Sequence, residues 1–116
     1  MRNRMIRIND EIMKELSEIL RSGIKDPRMT AMASVVRVET SQDLKFAKAY
    51  ISIMGDDDAK EKTMAAIENA KGHIRSTIAK AIDLRQTPEF TFILDESLEH
   101  GQRINQILDN SNNEQG

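Results

Sequence analysis

Residues 58–85 read as two helical segments meeting at Ala70-Lys71-Gly72, and that join limits what the rest of the chain can build. A glycine in a helix interior costs roughly 1 kcal/mol against alanine, so Gly72 needs a reason, and a kink between two packed segments supplies one. The apolar stripes on the two sides are out of register for one straight helix lying on one sheet. Downstream, Ile74, Ile78, Ala81 and Ile82 fall within an arc of ~100° at the helical step, while His73, Ser76 and Lys80 turn the opposite way. One face packs and the other meets solvent. Lys71 and Arg75 flank the stripe and Arg85 closes the segment, and from Lys71 to Arg85 only Asp83 opposes them. A bent helix pair with a basic outer face can hold phosphates. A solvated face that merely keeps the domain soluble is the plainer account.

A chain of 116 residues makes one domain, expected over 1–109 with a disordered polar tail at 110–116. The absence of cysteine excludes disulfides, thiolate metal sites and a cysteine nucleophile. No apolar run approaches the ~18 residues of a membrane span, and Met1-Arg2-Asn3-Arg4-Met5-Ile6-Arg7 lacks the apolar core of a signal peptide. No membrane partner and a cytoplasmic location are expected. The net charge of −2 argues against a generic nucleic-acid binder, but the distribution does not. Arg2, Arg4 and Arg7 crowd the start and Lys71, Arg75, Lys80 and Arg85 follow the kink, whereas from Gln86 onward Arg103 is the only cation. Basic and acidic surfaces are segregated.

In chain order, a first helix is expected over 4–22, with Met5, Ile8, Ile12, Leu16, Ile19 and Leu20 on one face, Asn3 as N-cap and Gly23 as stop. Its early arginines sit at the positive end of the helix dipole, where cations are mildly unfavourable, so something other than helix stability would keep them there. Asp26-Pro27-Arg28 makes a turn. Residues 32–40 and 44–54 are β-branched and alternating, a hairpin joined at Ser41-Gln42-Asp43 with Ala47, Ala49, Ile51 and Ile53 facing inward. Asp56, Asp57 and Asp58 are a conceivable metal cluster, though carboxylates at a helix N-terminus satisfy free N–H groups without an ion. Thr87-Pro88 breaks the chain before a third strand, 89–94, which returns through the two helices and so runs parallel to a hairpin strand. Asp95-Glu96-Ser97 then caps a weak last helix with Leu98, Ile104, Ile107 and Leu108. The expected core is Ile12, Leu16, Ile19, Val36, Val38, Ile51, Ile53, Ile67, Ile74, Ile78, Phe90 and Phe92.

Helix, strand, strand, helix, kink, helix, strand and a weak C-terminal helix is the order of an α+β, type II KH-like domain. The chain also resembles the bacterial ribosome-binding factor A family over nearly its whole length. The resemblance rests on Asp26-Pro27-Arg28, on Ser41-Gln42-Asp43-Leu44 with Ala47-Lys48-Ala49-Tyr50-Ile51-Ser52, on Ala70-Lys71-Gly72-His73-Ile74-Arg75, on Leu84-Arg85-Gln86-Thr87-Pro88-Glu89-Phe90, and on Asp95-Glu96-Ser97 with Arg103-Ile104. That family replaces the Gly-x-x-Gly loop of KH domains, which clamps four nucleotides, with a shorter Ala-x-Gly kink. Sequence-specific reading of single strands is therefore not implied. What the resemblance implies is a monomeric factor that binds the immature small (30S) subunit through 16S rRNA, not mature translating ribosomes, and supports rRNA maturation, especially in the cold.

An enzyme is not expected. His73 and His100 lack company, Glu96 with His100 offers two metal ligands where a catalytic zinc needs three, and the glycine-rich phosphate cradles are absent. No cofactor is expected. A protein-interaction module using an apolar sheet face without RNA contact is the alternative: aromatics are scarce, only Phe46 and Tyr50 fall on an open face, and the methionines offer adaptable apolar surface. Met5, Met13, Met32, Met54 and Met64 are read as core. A salt titration separates the readings, because phosphate contacts weaken steeply with ionic strength and apolar ones do not.

Overall fold

The computed structural model describes residues 4–84 and 86–97. Helix α1, Arg4–Glu18, buries Ile8, Ile12 and Leu16, four residues apart along one face, against the sheet. It then widens into a π-helical turn, Ile19–Gly23, which tucks both Ile19 and Leu20 inside. The expected helix thus ends where Gly23 stops it, but its last turn is not α. A Cβ on Gly23 would stand 3.3 Å from Ile19 Cγ2. In the turn that follows, the Met29 N–H donates to the Asp26 carbonyl at 2.9 Å and the Asp26 carboxylate accepts from both the backbone and the guanidinium of Arg28.

Strands β1, Ala33–Thr40, and β2, Phe46–Ile53, form the antiparallel hairpin, and β3, Glu89–Leu94, lies parallel to β2 on its other side. The sheet order is β1-β2-β3. Ala47 and Ala49 stand beside Phe90 and Phe92 in register, so small residues on the central strand make room for two large ones on the edge, whose rings stack at 6.0 Å. One expected core residue is displaced. Val35 pairs with Ile51 but Arg37 with Tyr50, so Val36 is an extra, bulged residue, 36% exposed, and Val35 takes the inward place. Strict alternation through Val36 and Val38 fails because the bulge lets Val35 and Val38, three apart, face the same core.

Helix α2, Asp57–Asn69, is capped by Asp56, whose carboxylate accepts from the Ala59 N–H at 2.8 Å, with Asp57 and Asp58 in the first turn. Helix α3, Lys71–Ala81, lays Ile74 and Ile78 on the sheet, and Ile82 just beyond its end is buried with them, while Ala81 stays at the exposed rim. The interruption between them is Ala70 itself, at φ −89° and ψ 6°. Gly72 sits in the first turn of α3, where an added Cβ would meet no atom within 4 Å, so the bend does not depend on its missing side chain. Met5, Met13 and Met64 pack partly against the core, but Met32 and Met54 do not. They lie exposed side by side, joined by the Met54 N–H to the Met32 carbonyl at 3.0 Å. No helix among the described residues is long and apolar enough to cross a membrane. The expected Asn3 cap, C-terminal helix and polar tail lie outside the described residues.

Candidate nucleic-acid interface

The sheet face away from the helices is polar rather than apolar. Arg37 on β1 stacks its guanidinium 4.0 Å from the centre of the Tyr50 ring on β2 and pairs with Glu39 at 3.2 Å, while the Tyr50 hydroxyl donates to the same carboxylate at 3.3 Å. Register sets this up, since Arg37 faces Tyr50 and Glu39 faces Lys48 across the strands. Tyr50 and Glu39 beside Arg37 strengthen its hold on its proton. Lys48 and Thr91 continue the same face, so an apolar sheet surface of the kind a hydrophobic protein partner needs is not what the hairpin presents.

The residues picked from the sequence divide into three groups. Arg2 and Arg85 lie outside the described residues. Lys71 is occupied: its ammonium sits 3.0 Å from Glu68 and 5.7 Å from the centre of the Phe92 ring. It also begins α3, about 14 Å along the helix axis from Lys80 at 1.5 Å per residue. Arg4, Arg7, Arg75 and Lys80 are exposed. Arg75 donates to the Thr87 carbonyl at 3.1 Å, and Gly72, Arg75, Ser76, Ala79 and Thr87 line a shallow groove. Arg7, loosely paired with Glu11 at 3.9 Å, shares a second groove with Ala81, Ile82 and Asp83 at the far end of α3. The first helix therefore brings its basic start alongside the C-terminal end of α3. The seam is mixed, with Glu11, Glu15 and Asp83 beside Arg7 and Lys14.

The helix dipole acts on the two clusters in opposite senses. Lys80 sits in the last turn of α3, where a cation stabilises the helix. Arg4 and Arg7 sit in the first turn of α1, which carries no acidic residue, and there cations are unfavourable. Helix stability accounts for the first and not for the second.

Two further cations, Lys45 and Lys48, lie off the helices, at the hairpin turn and on β2. Both are exposed and neither has an ion pair among the described residues. The Lys45 carbonyl accepts from the Glu89 N–H at 2.9 Å, which joins the hairpin turn to the segment that Arg75 reaches. Arg75, Thr87, Glu89 and Lys45 thus belong to one end of the molecule, the end where the hairpin turns and α1 begins. The Asn9 side chain, bonded to Thr40, fixes α1 there. The sequence signal for Lys48 is the alternation of β2, which puts it opposite the buried alanines; Lys45, just before the strand, has no such signal.

Comparison with known proteins agrees with this fold. The sequence profile described as Ribosome-binding factor A matches residues 4–108. The ribosome-binding factor A of Agathobacter rectalis is 53% identical over 104 residues, 90% of this chain and 86% of that protein. The crystal structure of ribosome-binding factor A from Thermus thermophilus superposes with a TM-score of 0.69 at 18% identity, covering 80% of this chain and 97% of the other. A Thermus thermophilus ribosome binding factor A fitted into the cryo-EM map of a 30S complex gives 0.63 at 19% identity, covering 76% and 91%. At such identities the two structures speak for the fold alone, a KH-like one, while the profile and the Agathobacter relative speak for descent. This chain belongs to the ribosome-binding factor A family.

Proposed function

We propose that this chain binds the immature small (30S) ribosomal subunit through 16S rRNA and supports the maturation of that RNA, most of all during growth in the cold. Family membership over residues 4–108 is the observation that carries the ribosomal part of the reading. The Thermus relative with the same fold, fitted into a 30S complex, points the same way. Exposed cations at one end of the domain supply the RNA part: Arg4, Arg7, Arg75 and Lys80, joined by Lys45 and Lys48. Such contacts grip phosphates and shape without reading bases, and the role is non-catalytic, exercised by a single chain in the cytoplasm.

The test is binding of the purified chain to immature 30S subunits across a salt series. Steep loss of affinity with salt supports the reading, and a shallower slope is expected when Arg75 and Lys80 are neutralised. Affinity that survives neutralising Lys71, Arg75, Lys80 and Arg85 together, in a protein still folded by circular dichroism, sinks the phosphate face. A protein contact is the second reading. It draws on exposed Met32 beside the groove of about 540 Å³ formed by Leu20, Ile24, Met29 and Ala31, and it predicts near-indifference to salt.

A further inference from the structure

The chain contains three phenylalanines and one tyrosine, and all but one of these rings are committed. Phe90 and Phe92 stack on each other inside the core, and Tyr50 is covered by Arg37. Phe46 is 56% exposed at the start of β2, on the open face of the sheet. It is flanked by Lys45 and by Lys48, two residues on and on the same face, and neither lysine makes an ion pair among the described residues.

The turn that carries Phe46 is wired to itself. The Ser41 N–H donates to the Phe46 carbonyl at 2.8 Å, the Phe46 N–H to the Ser41 hydroxyl at 3.1 Å, and that hydroxyl to the Asp43 carboxylate at 2.7 Å. The same carboxylate takes the Lys45 N–H at 3.1 Å. Between them Leu44 adopts φ 62°, an uncommon conformation for a branched side chain, while its side chain packs partly against the core. Leu44 is drawn inward, and the next two residues are held outward on a fixed backbone. An exposed ring on a hydrogen-bonded backbone, with lysines on either side whose acidic neighbours Asp43 and Glu39 make no ion pair with them, offers what an unpaired base needs: a flat apolar surface for stacking and positive charge for the adjoining phosphates. Glu89, the register partner of Phe46, is an acidic neighbour on β3.

We propose that Phe46, with Lys45 and Lys48, is a stacking platform for an unpaired RNA base. This rests on the RNA-binding reading above and adds to it a contact that phosphate and shape alone do not supply. A protein pocket closing over Phe46 would not need the lysines, so RNA is the occupant the charges favour.

Because the chain has no tryptophan, Phe46→Trp installs a single tryptophan at the platform, which can be excited selectively over Tyr50. Three proteins are compared, the parent, Phe46→Trp and Phe46→Ala, against intact 30S subunits and against deproteinised 16S rRNA. Stacking predicts that Phe46→Trp binds like the parent and is quenched by the RNA, and that Phe46→Ala weakens binding to both targets by roughly tenfold or more. Lys45→Gln with Lys48→Gln lowers the salt slope by about 1.4, at ~0.7 for each single-strand contact. Phe46→Ala binding within twofold of the parent overturns the platform and leaves the RNA-binding reading intact. Loss on intact subunits alone, with no quenching by RNA, overturns it in favour of a ribosomal protein. A parent that binds neither target overturns both proposals.

Discussion

The guanidinium of Arg75, midway along α3, donates to the carbonyl oxygen of Thr87 at 3.1 Å and so fastens the helix to the approach of β3. Lys80, five residues on, has no such tie among the described residues. The two cations should therefore separate under substitution. Arg75→Gln is expected to lower both RNA affinity and stability, the latter by at most about 1 kcal/mol for one exposed hydrogen bond. Lys80→Gln should lower affinity and the salt slope while leaving stability within about 0.5 kcal/mol. Thermal melts beside salt-titrated subunit binding check the pair, and equal stability losses would contradict the assignment.

Two glycines, one inside a helical turn and one at positive φ, should respond with opposite sign. Gly72→Ala adds a Cβ in open space within a helical turn, so stability should rise, by up to about 1 kcal/mol, with the α2–α3 bend unchanged because it resides at Ala70. Gly55→Ala forces a side chain into φ +150° with its Cβ 3.0 Å from that of Ala59, and should lose at least about 1 kcal/mol. Denaturant unfolding of both variants decides. A Gly72→Ala variant that loses subunit binding while gaining stability would return the glycine itself to the interface.

Thr63 places its hydroxyl in the core with no hydrogen-bond partner among the described residues. Thr63→Val keeps the shape and removes the unpaired polar atom, so a gain of about 1 kcal/mol in unfolding free energy is expected. A loss of similar size would show that the hydroxyl is satisfied in solution.

Acid should loosen three turns together. Hydrogen bonds from Arg28, from Ser41 and the Lys45 backbone, and from Ser97 hold the carboxyls of Asp26, Asp43 and Asp95 below the ordinary aspartate range. A carboxyl depressed in the folded state stabilises it fully above the unfolded value near ~4, and that contribution is lost as pH falls through the folded value. The melting temperature should therefore drop below roughly pH 4, and more gently in the Asp26→Asn, Asp43→Asn and Asp95→Asn variants. An unchanged slope in all three would remove these turns as the cause.

The order of elements is legible because each obeys its own period. Ile8, Ile12 and Leu16 mark a helix face, and Ala47, Ala49, Ile51 and Ile53 mark a strand face. Val36 escapes the same logic because a bulge adds a residue without leaving a mark in the alternation. The candidate interface is legible only by half. Charge along α1 and α3 can be read from the sequence, but whether a cation is free depends on its neighbours: Glu68, three residues before Lys71, claims that lysine, as i,i+3 spacing allows. Lys45 joins Thr87 and Arg75 only through the register of β3 on β2; the order of elements predicts a parallel third strand, but no local pattern says which hairpin strand it joins or in what register.

The bulge at Val36 also bears on how copies of the chain treat one another. Strand β1 borders the sheet, and an uninterrupted border of N–H and C=O groups is a template on which another extended chain can polymerise. One surplus residue twists that border and spoils its spacing, and Arg37 and Glu39 charge the stretch beyond it. Deleting Val36 would restore an even border at little cost to the buried core, and light scattering on the concentrated variant should then show aggregation that the parent chain resists.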